Sequence, residues 1–328
     1  MKPLTMSLAL TSNPRSQPVL DGEVGFEGFE VIPSAFDKPG ELFWRQLRFS
    51  QFDISEMSLA SLVITIAAGS REWTPIPVFP QRAFFHTRLL VNNDAGITAP
   101  EDLAGKRIGV NEYQNTASVW MRGALEDGFG VAPDKVRWFT GRPPLLSHAG
   151  ATGFTPPPGV EIDQIPAGAD LGTLVESGGL DAVMKLGGGT EMNPGPSEAE
   201  LLSRGRVRRL FPNPVEEGRR FYAETGLYPI NHVVVVRSSI AAEHPWVPLN
   251  LLEGFEEAKR LSTRRLRAAA DIYLPTGEFG LDLEGGIPYG VQPNRPVLER
   301  LAELLYRHGL TNRRVELDEI FPSGTYVT

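Results

Sequence analysis

The chain carries five histidines, His86, His148, His232, His244 and His308, and no cysteine. Disulfides, thiolate zinc sites and cysteine nucleophiles are thereby excluded. The histidines stand apart from one another in sequence, so no metal-binding spacing arises and no metal ion is expected. GxSxG, a P-loop lysine after a glycine run, HExxH, and GxGxxG between a strand and a helix are absent as well. The chemistry left open is proton transfer by imidazole and carboxylate, and anion capture by arginines and backbone N–H groups. Two stretches suit such capture. "GKRIGVNEYQNTASVWMRGALEDGFG" (105–130) passes from a short apolar strand through a polar elbow, Glu112, Tyr113, Gln114 and Asn115, into a helix for which Thr116 is a good cap. "FDISEMSLASLVITIAAG" (52–69) does the same through an elbow at Ser55 to Ser58 that contains Glu56, and Gly69 stops its helix. A helix start offers unpaired N–H groups and the positive end of the helix dipole, which favour a carboxylate or phosphate. The plainer alternative is a capped helix with no ligand. Two such elbows facing across a cleft would hold two anionic groups of one small molecule.

The elements that must place these elbows alternate in type. Strands are predicted at "LTMSLALT" and "FEGFEVIPSAF" (26–36), with a short helix or turn at "SQPVLDG" between them. A helix follows, with Leu42, Phe43, Gln46, Leu47 and Phe49 at roughly helical intervals. This βαβα order is that of an open α/β sheet with sites at the carboxyl ends of its strands. The proline-punctuated run 74–92 reads as a long connecting strand, and 226–239, with four successive valines, as a second one buried on both faces. The stretch 139–162 is loop, and Gly187, Gly188 and Gly189 form a turn. The last third is helical, with Asn294 as a cap and Gly309 as a stop.

A length of 328 residues fits two domains. The two extended runs serve as crossings, which divides the chain into a discontinuous lobe one (1–90 plus 232–328) and a lobe two (91–231) with the ligand cleft between them. His86 and His232 each lie on a crossing and are expected to approach one another behind the ligand; the alternative is a pair of satisfied hinge histidines. Glu56 and Glu112 are candidate proton donors or acceptors, and Arg82, Arg88, Arg122 and Arg295 candidate carboxylate clamps. A net charge of -8 argues against nucleic acid and anionic membrane as partners. No apolar stretch approaches a membrane span, and the N-terminus reads as a first strand rather than an export signal, so a cytoplasmic protein is expected.

The segments "FDISEMSLAS", "IPVFPQRAFFHTR", "DLAGKRIGVNEYQNTASVWMRGAL", "VRRLFP", "YPINHVVVVR", "HPWVPLN", "PYGVQPNR" and "HGLTNRRVELDEIF" resemble the 4,5-dihydroxyphthalate decarboxylase family over nearly the whole chain. The resemblance implies a two-lobed α/β fold of the type II periplasmic binding protein kind, with open sheets, helices on both faces and two crossing strands. It also implies a cofactor-independent decarboxylase of a hydroxylated aromatic carboxylic acid, cytoplasmic and homo-oligomeric. One of His86 and His232 would protonate the ring carbon, and the other, or Glu112, would take the phenolic proton. Ser12, Arg15, Glu56, Ser58, Arg82, Tyr113, Gln114, Asn115, Thr116 and Arg295 would bind the substrate. The chain departs from the family pattern at Thr11–Ser16, Arg142–Pro144 and Val183–Lys185, all at strand ends, so the resemblance carries the scaffold and leaves the exact substrate open. The competing class is a non-catalytic solute-binding or sensor protein of the same fold, since one fold hosts many functions.

Overall fold

Residues 4–184, 190, 194–273 and 288–325 are described by the computed structural model. Lys185 and the Gly187–Gly189 turn lie outside them. The first part of the chain runs β1 (Leu4–Thr11), α1 (Gln17–Leu20), β2 (Phe29–Phe36), α2 (Pro39–Phe49), β3 (Ile54–Ser58), α3 (Leu59–Ala67) and β4 (Trp73–Ile76). The middle part runs β5 (Leu89–Asn92), β6 (Arg107–Val110), α4 (Thr116–Phe129), β7 (Arg137–Thr140), α5 (Ala149–Thr152), β8 (Ile162–Gln164), α6 (Leu171–Glu176), β9 (Ala182–Met184), α7 (Glu198–Ser203), β10 (Val207–Arg209) and α8 (Pro214–Thr225). The chain continues with β11 (His232–Arg237), α9 (Ser238–Glu243), α10 (Val247–Tyr273), α11 (Arg295–Arg307) and α12 (Leu317–Ile320).

The strands form two mixed sheets flanked by helices, in the orders β2-β1-β3-β11-β4 and β10-β5-β9-β6-β7-β8. In the first, β1 pairs in parallel with β2 and β3, while β11 enters antiparallel between β3 and β4. Val233 to Val236 of β11 are fully buried, as a central strand covered on both faces requires. In the second sheet β6, β7, β8 and β9 run parallel and β5 antiparallel. The α/β expectation therefore holds.

The run 74–92 is not one strand. β4 stops at Ile76, and a short 3-10 turn at Phe85–Arg88 precedes β5. Pro75, Pro77 and Pro80 remove the N–H groups that a continuous ladder would use. The two crossing segments nevertheless meet. Arg82 bridges Ile230, Asn231 N–H donates to Gln81 O at 2.9 Å, and Ala83 N–H to Pro229 O at 3.2 Å.

Register decides what lies at the strand ends. β11 pairs with β3 so that its first residue, His232, stands opposite the last residue of β3, Ser58, and Val234 opposite Glu56. Side chains two apart share a sheet face. Glu56, Ser58 and His232 therefore point the same way at the carboxyl end of β3.

Candidate functional site

Both elbows form, with two changes from the sequence reading. Ser55, Glu56 and Met57 belong to β3 itself, and Ser58 alone is the cap, accepting from Ser61 N–H at 3.5 Å. In the other elbow the cap is Asn115, whose side chain accepts from Ser118 N–H at 2.8 Å, and Thr116 is the first helical residue. Thr116 is thereby free to reach the other helix. Its hydroxyl lies 2.9 Å from Ser58 Oγ and accepts from Ala60 N–H at 2.9 Å. The helix starts of α3 and α4 thus face one another and are pinned together. Around them Ser61 Oγ, Ser118 Oγ and Gln114 Nε2 are buried without a hydrogen-bond partner. All three can donate, and such a surplus of buried donors suits an acceptor-rich ligand such as a carboxylate.

Beside this junction stands a buried acid–imidazole pair. Glu56 is fully buried, and its Oε1 lies 2.5 Å from His232 Nδ1. Its Oε2 accepts from Thr11 N–H at 2.8 Å and Thr11 Oγ1 at 2.5 Å, which fixes the carboxylate from the end of β1. Asn231 Nδ2 lies 2.8 Å from His232 Nε2 and also donates to Gln81 Oε1 at 2.6 Å. Phe43 of α2 meets the His232 ring edge-on, with centroids 4.7 Å apart. The pair has the parts of a proton-transfer site: an imidazole whose orientation is set by a carboxylate on one nitrogen.

A second buried network grows from Glu112. Its Oε1 accepts from Ser147 Oγ and His148 N–H, both at 2.7 Å, and its Oε2 from Arg142 Nη1 at 2.8 Å. Burial raises the Glu112 pKa, but the charges that His148 (once protonated) and Arg142 carry, with the Ser147 and His148 bonds, outweigh it, so the net direction is down. Through these three bonds Glu112 organises the loop after β7. His148 is pushed down to about 4, first by burial and then by the Arg142 charge, against the opposing pull of Glu112 and Gly40 O. It is therefore neutral at pH 7, and the charge facing Glu112 is that of Arg142. His148 Nε2 lies 3.1 Å from Gly40 O, and Trp44 Nε1 donates to Leu145 O at 3.2 Å. These bonds carry the loop onto α2 of the first sheet. The His148 ring lies 6.3 Å from that of Phe43, so Phe43 packs on a histidine of each network. Thr11, Phe43, Asn231, Arg142 and His148 were not named as site residues from sequence. A signal existed for two of them, since "RPPLLSH" follows directly on a strand end in a parallel sheet.

The remaining expected residues stand elsewhere. His86 does not approach His232: its Nε2 bonds Glu217 Oε1 at 2.9 Å, and its ring packs on Phe211 and Phe221. Burial raises the Glu217 pKa, yet bonds from Arg220 and His86 bring it down to about 2. Arg82 spends both Nη groups on Tyr228 O, Pro288 O and Asn294 Oδ1, and burial lowers its pKa to about 10. It clasps a loop rather than clamping a ligand. Asn294, at the start of α11, is engaged there instead of capping. Arg295 lies along α11 beside Glu299 at 3.0 Å, 39% exposed. Arg88 is exposed. Arg122 is buried below the elbow, 3.6 Å over the Tyr113 ring and bonded to Tyr113 O. Tyr113 is thus a core residue. Ser12 is exposed, and Arg15 is half-buried with Nη1 on Pro80 O at 2.8 Å. Among the described residues no group of three His, Asp or Glu side chains is arranged to hold a metal ion, and no helix is long and apolar enough to cross a membrane.

Solved structures share this architecture. The periplasmic aliphatic sulphonate binding protein of Escherichia coli is 14% identical, with a TM-score of 0.58 and full coverage of both chains. The alkanesulfonate-binding protein of Xanthomonas axonopodis pv. citri, bound to MOPS, is 15% identical with a TM-score of 0.55 over 96% of each chain. At these identities the likeness establishes the periplasmic binding protein-like fold alone. No family model matches the sequence. Two curated proteins do. A 4,5-dihydroxyphthalate decarboxylase of Pseudomonas putida is 39% identical over 65% of this chain and 80% of its own. That of Comamonas testosteroni is 34% identical over 334 aligned residues, covering 98% of this chain and 97% of its own. At 34% identity over nearly its full length to one curated relative, the chain belongs to the 4,5-dihydroxyphthalate decarboxylase family.

Proposed function

We propose that this carboxy-lyase removes CO2 from a hydroxylated aromatic carboxylic acid, 4,5-dihydroxyphthalate or a close analogue, giving 3,4-dihydroxybenzoate in the first case. The observation that carries the reading is the buried Glu56–His232 pair beside the pinned helix starts of α3 and α4. It supplies a proton carrier next to a place suited to a carboxylate.

Loss of CO2 directly from an arene would leave the electron pair in an orbital outside the π system. Protonating the ring carbon that bears the carboxylate avoids this. A hydroxyl para to that carbon helps by donating electron density to it through the ring while keeping its own proton. The carbon–carboxyl bond then breaks, its electron pair restores the aromatic ring, and CO2 departs. The net reaction takes up one proton per CO2 released. In this reading His232 delivers the proton from Nε2, with Glu56 as counter-ion at Nδ1 and Asn231 giving way to the substrate ring. The helix starts fixed by Ser58, Asn115 and Thr116 hold a carboxylate through the open donors Ser61 Oγ, Ser118 Oγ and Gln114 Nε2. Ser12 and Arg15 form the wall after β1. Closure of the lobes 1–90 plus 232–328 and 91–231 on the ligand excludes water. The para hydroxyl provides the electron push that a cofactor would otherwise supply.

His232→Gln tests the assignment. CO2 release from 4,5-dihydroxyphthalate is expected to fall by about 10³-fold, within the range of general acid catalysis, while phthalate affinity stays within about threefold. Unchanged release would remove His232 from the mechanism. A panel of hydroxylated benzoates and phthalates, scored for thermal shift and CO2 release together, separates the enzyme from a binding protein of the same fold.

A further inference from the structure

We infer that Arg142 determines specificity for a second carboxylate on the substrate, which it takes side-on through Nε and Nη2. The inference rests on the aromatic-acid reading above and assigns a residue that reading leaves unused.

Arg142 stands at the carboxyl end of β7, where parallel sheets place ligands. Its backbone is fixed from both sides: its N–H donates to Asn111 O at 3.0 Å, and its carbonyl accepts from Gln164 Nε2 at 3.2 Å. The side chain is 6% exposed. Among the described residues the guanidinium bonds are all made by Nη1, to Glu112 Oε2 at 2.8 Å and to His148 Nδ1 at 3.1 Å, the ring nitrogen that accepts when Nε2–H faces Gly40 O. Nε is buried without a partner. In a guanidinium, Nη1 lies on the Cδ side, whereas the Nε and Nη2 hydrogens point together from the opposite edge. That edge forms the parallel fork that matches two carboxylate oxygens.

The occupied and open edges divide the work. Glu112 and His148 hold Nη1 and set the plane of the group, with Ser147 bonded to Glu112 behind them, and the second edge is left with a donor whose burial is costly while it lacks an acceptor. A carboxylate supplies two acceptors and the opposite charge. Two neighbouring arginines spend their guanidinium groups differently: Arg82 uses both Nη groups on a loop, and Arg295 points along the surface of α11. Arg122 also has Nε and Nη2 buried without a partner, but its guanidinium lies 3.6 Å from the centre of the Tyr113 ring, below the elbow. His148 also ties Arg142 to the reacting pair, because Phe43 packs against both His148 and His232. A ring with two adjacent carboxylates would place one at the helix starts of α3 and α4 and the other on Arg142.

The experiment measures affinity for non-reacting acids, which lack the hydroxyls needed for CO2 loss. Phthalate and monomethyl phthalate are titrated by calorimetry into the wild type and into Arg142→Lys. The lysine keeps a cation beside Glu112 but has no side-on fork. The wild type is expected to bind phthalate at least tenfold more tightly than the monoester, and Arg142→Lys to narrow that ratio by fivefold or more. A role confined to folding would weaken both ligands alike and keep the ratio. A smaller narrowing overturns the assignment, and so does a wild type that binds the two acids equally, which can be read even if the variant fails to fold. CO2 release from 4,5-dihydroxyphthalate is measured alongside. Release with an unchanged ratio sinks Arg142 and spares the activity; the expected ratio without release sinks the activity and spares Arg142.

Discussion

Replacing His148 with glutamine should flatten the acid side of the stability profile. The ring is 3% exposed, and its pKa is pushed down to about 4, mainly by burial. An unfolded chain takes up the same proton near 6.5. Between these values acid protonates the unfolded chain and not the folded one. The contribution is thus complete above pH 6.5 and is lost as the pH falls toward 4. Linkage between the two titrations gives roughly 2 to 3 kcal/mol lost between pH 7 and pH 4.5, a sizeable part of the ~5–15 kcal/mol that holds a typical protein folded. Glu112 follows the same sign, because its pKa is also lowered in the folded protein, but it acts over a lower pH range. Its depressed pKa stabilises above the ordinary carboxylate range and is lost only as the pH falls through the folded value, below most of this window. Urea unfolding of wild type and His148→Gln at pH 7, 5.5 and 4.5 therefore isolates the imidazole. The variant should be less stable at pH 7 but lose about 2 to 3 kcal/mol less than wild type on acidification. Parallel pH profiles would refute the claim that His148 is held neutral in the Glu112–Arg142 network.

Three further substitutions probe the site. Thr116→Val leaves Ala60 N–H and Ser58 Oγ without their shared partner and should cost about 1–3 kcal/mol in urea unfolding, whereas Thr116→Ser should recover most of it; equal losses would show that the hydroxyl pin is unimportant. Glu56→Gln removes the counter-ion of His232 and should slow CO2 release by about 10²-fold or more with phthalate affinity little changed; a loss confined to affinity would contradict the role given to Glu56. His86→Gln should leave CO2 release within about threefold, because His86 is bonded to Glu217 and packed on aromatic rings away from His232, while its lost bond to a carboxylate costs about 1.5–3 kcal/mol of stability; a collapse of turnover at unchanged stability would restore His86 to the mechanism.

How far the sequence disclosed this arrangement depends on the range of the interactions. Strand–elbow–helix units at 52–69 and 105–130 were legible because period, capping residues and glycine stops are local signals. The choice between Asn115 and Thr116 as cap was not, since both residue types cap well and the outcome rests on Thr116 reaching Ser58, 58 positions away. Likewise the pairing of Glu56 with His232 follows from the β3–β11 register, which no local pattern encodes. His86 and His232 looked equivalent because both lie on crossing segments. Prolines broke the first crossing into a 3-10 turn that directs His86 toward α8, while β11 stayed a strand and delivered His232 to the end of β3. Arg142 and His148 sat in a proline-rich loop with no period of its own, and they acquire meaning only when Glu112 gathers them.

The central claim is tested most directly by incubating the protein with 4,5-dihydroxyphthalate in D2O and following CO2 release together with the proton spectrum of the product. The account predicts 3,4-dihydroxybenzoate carrying one solvent-derived deuterium at the ring carbon that lost its carboxylate, formed by the wild type and almost not at all by His232→Gln. A protein that binds the acid and releases no CO2, or a His232→Gln variant that forms the deuterated product at the wild-type rate, would contradict it.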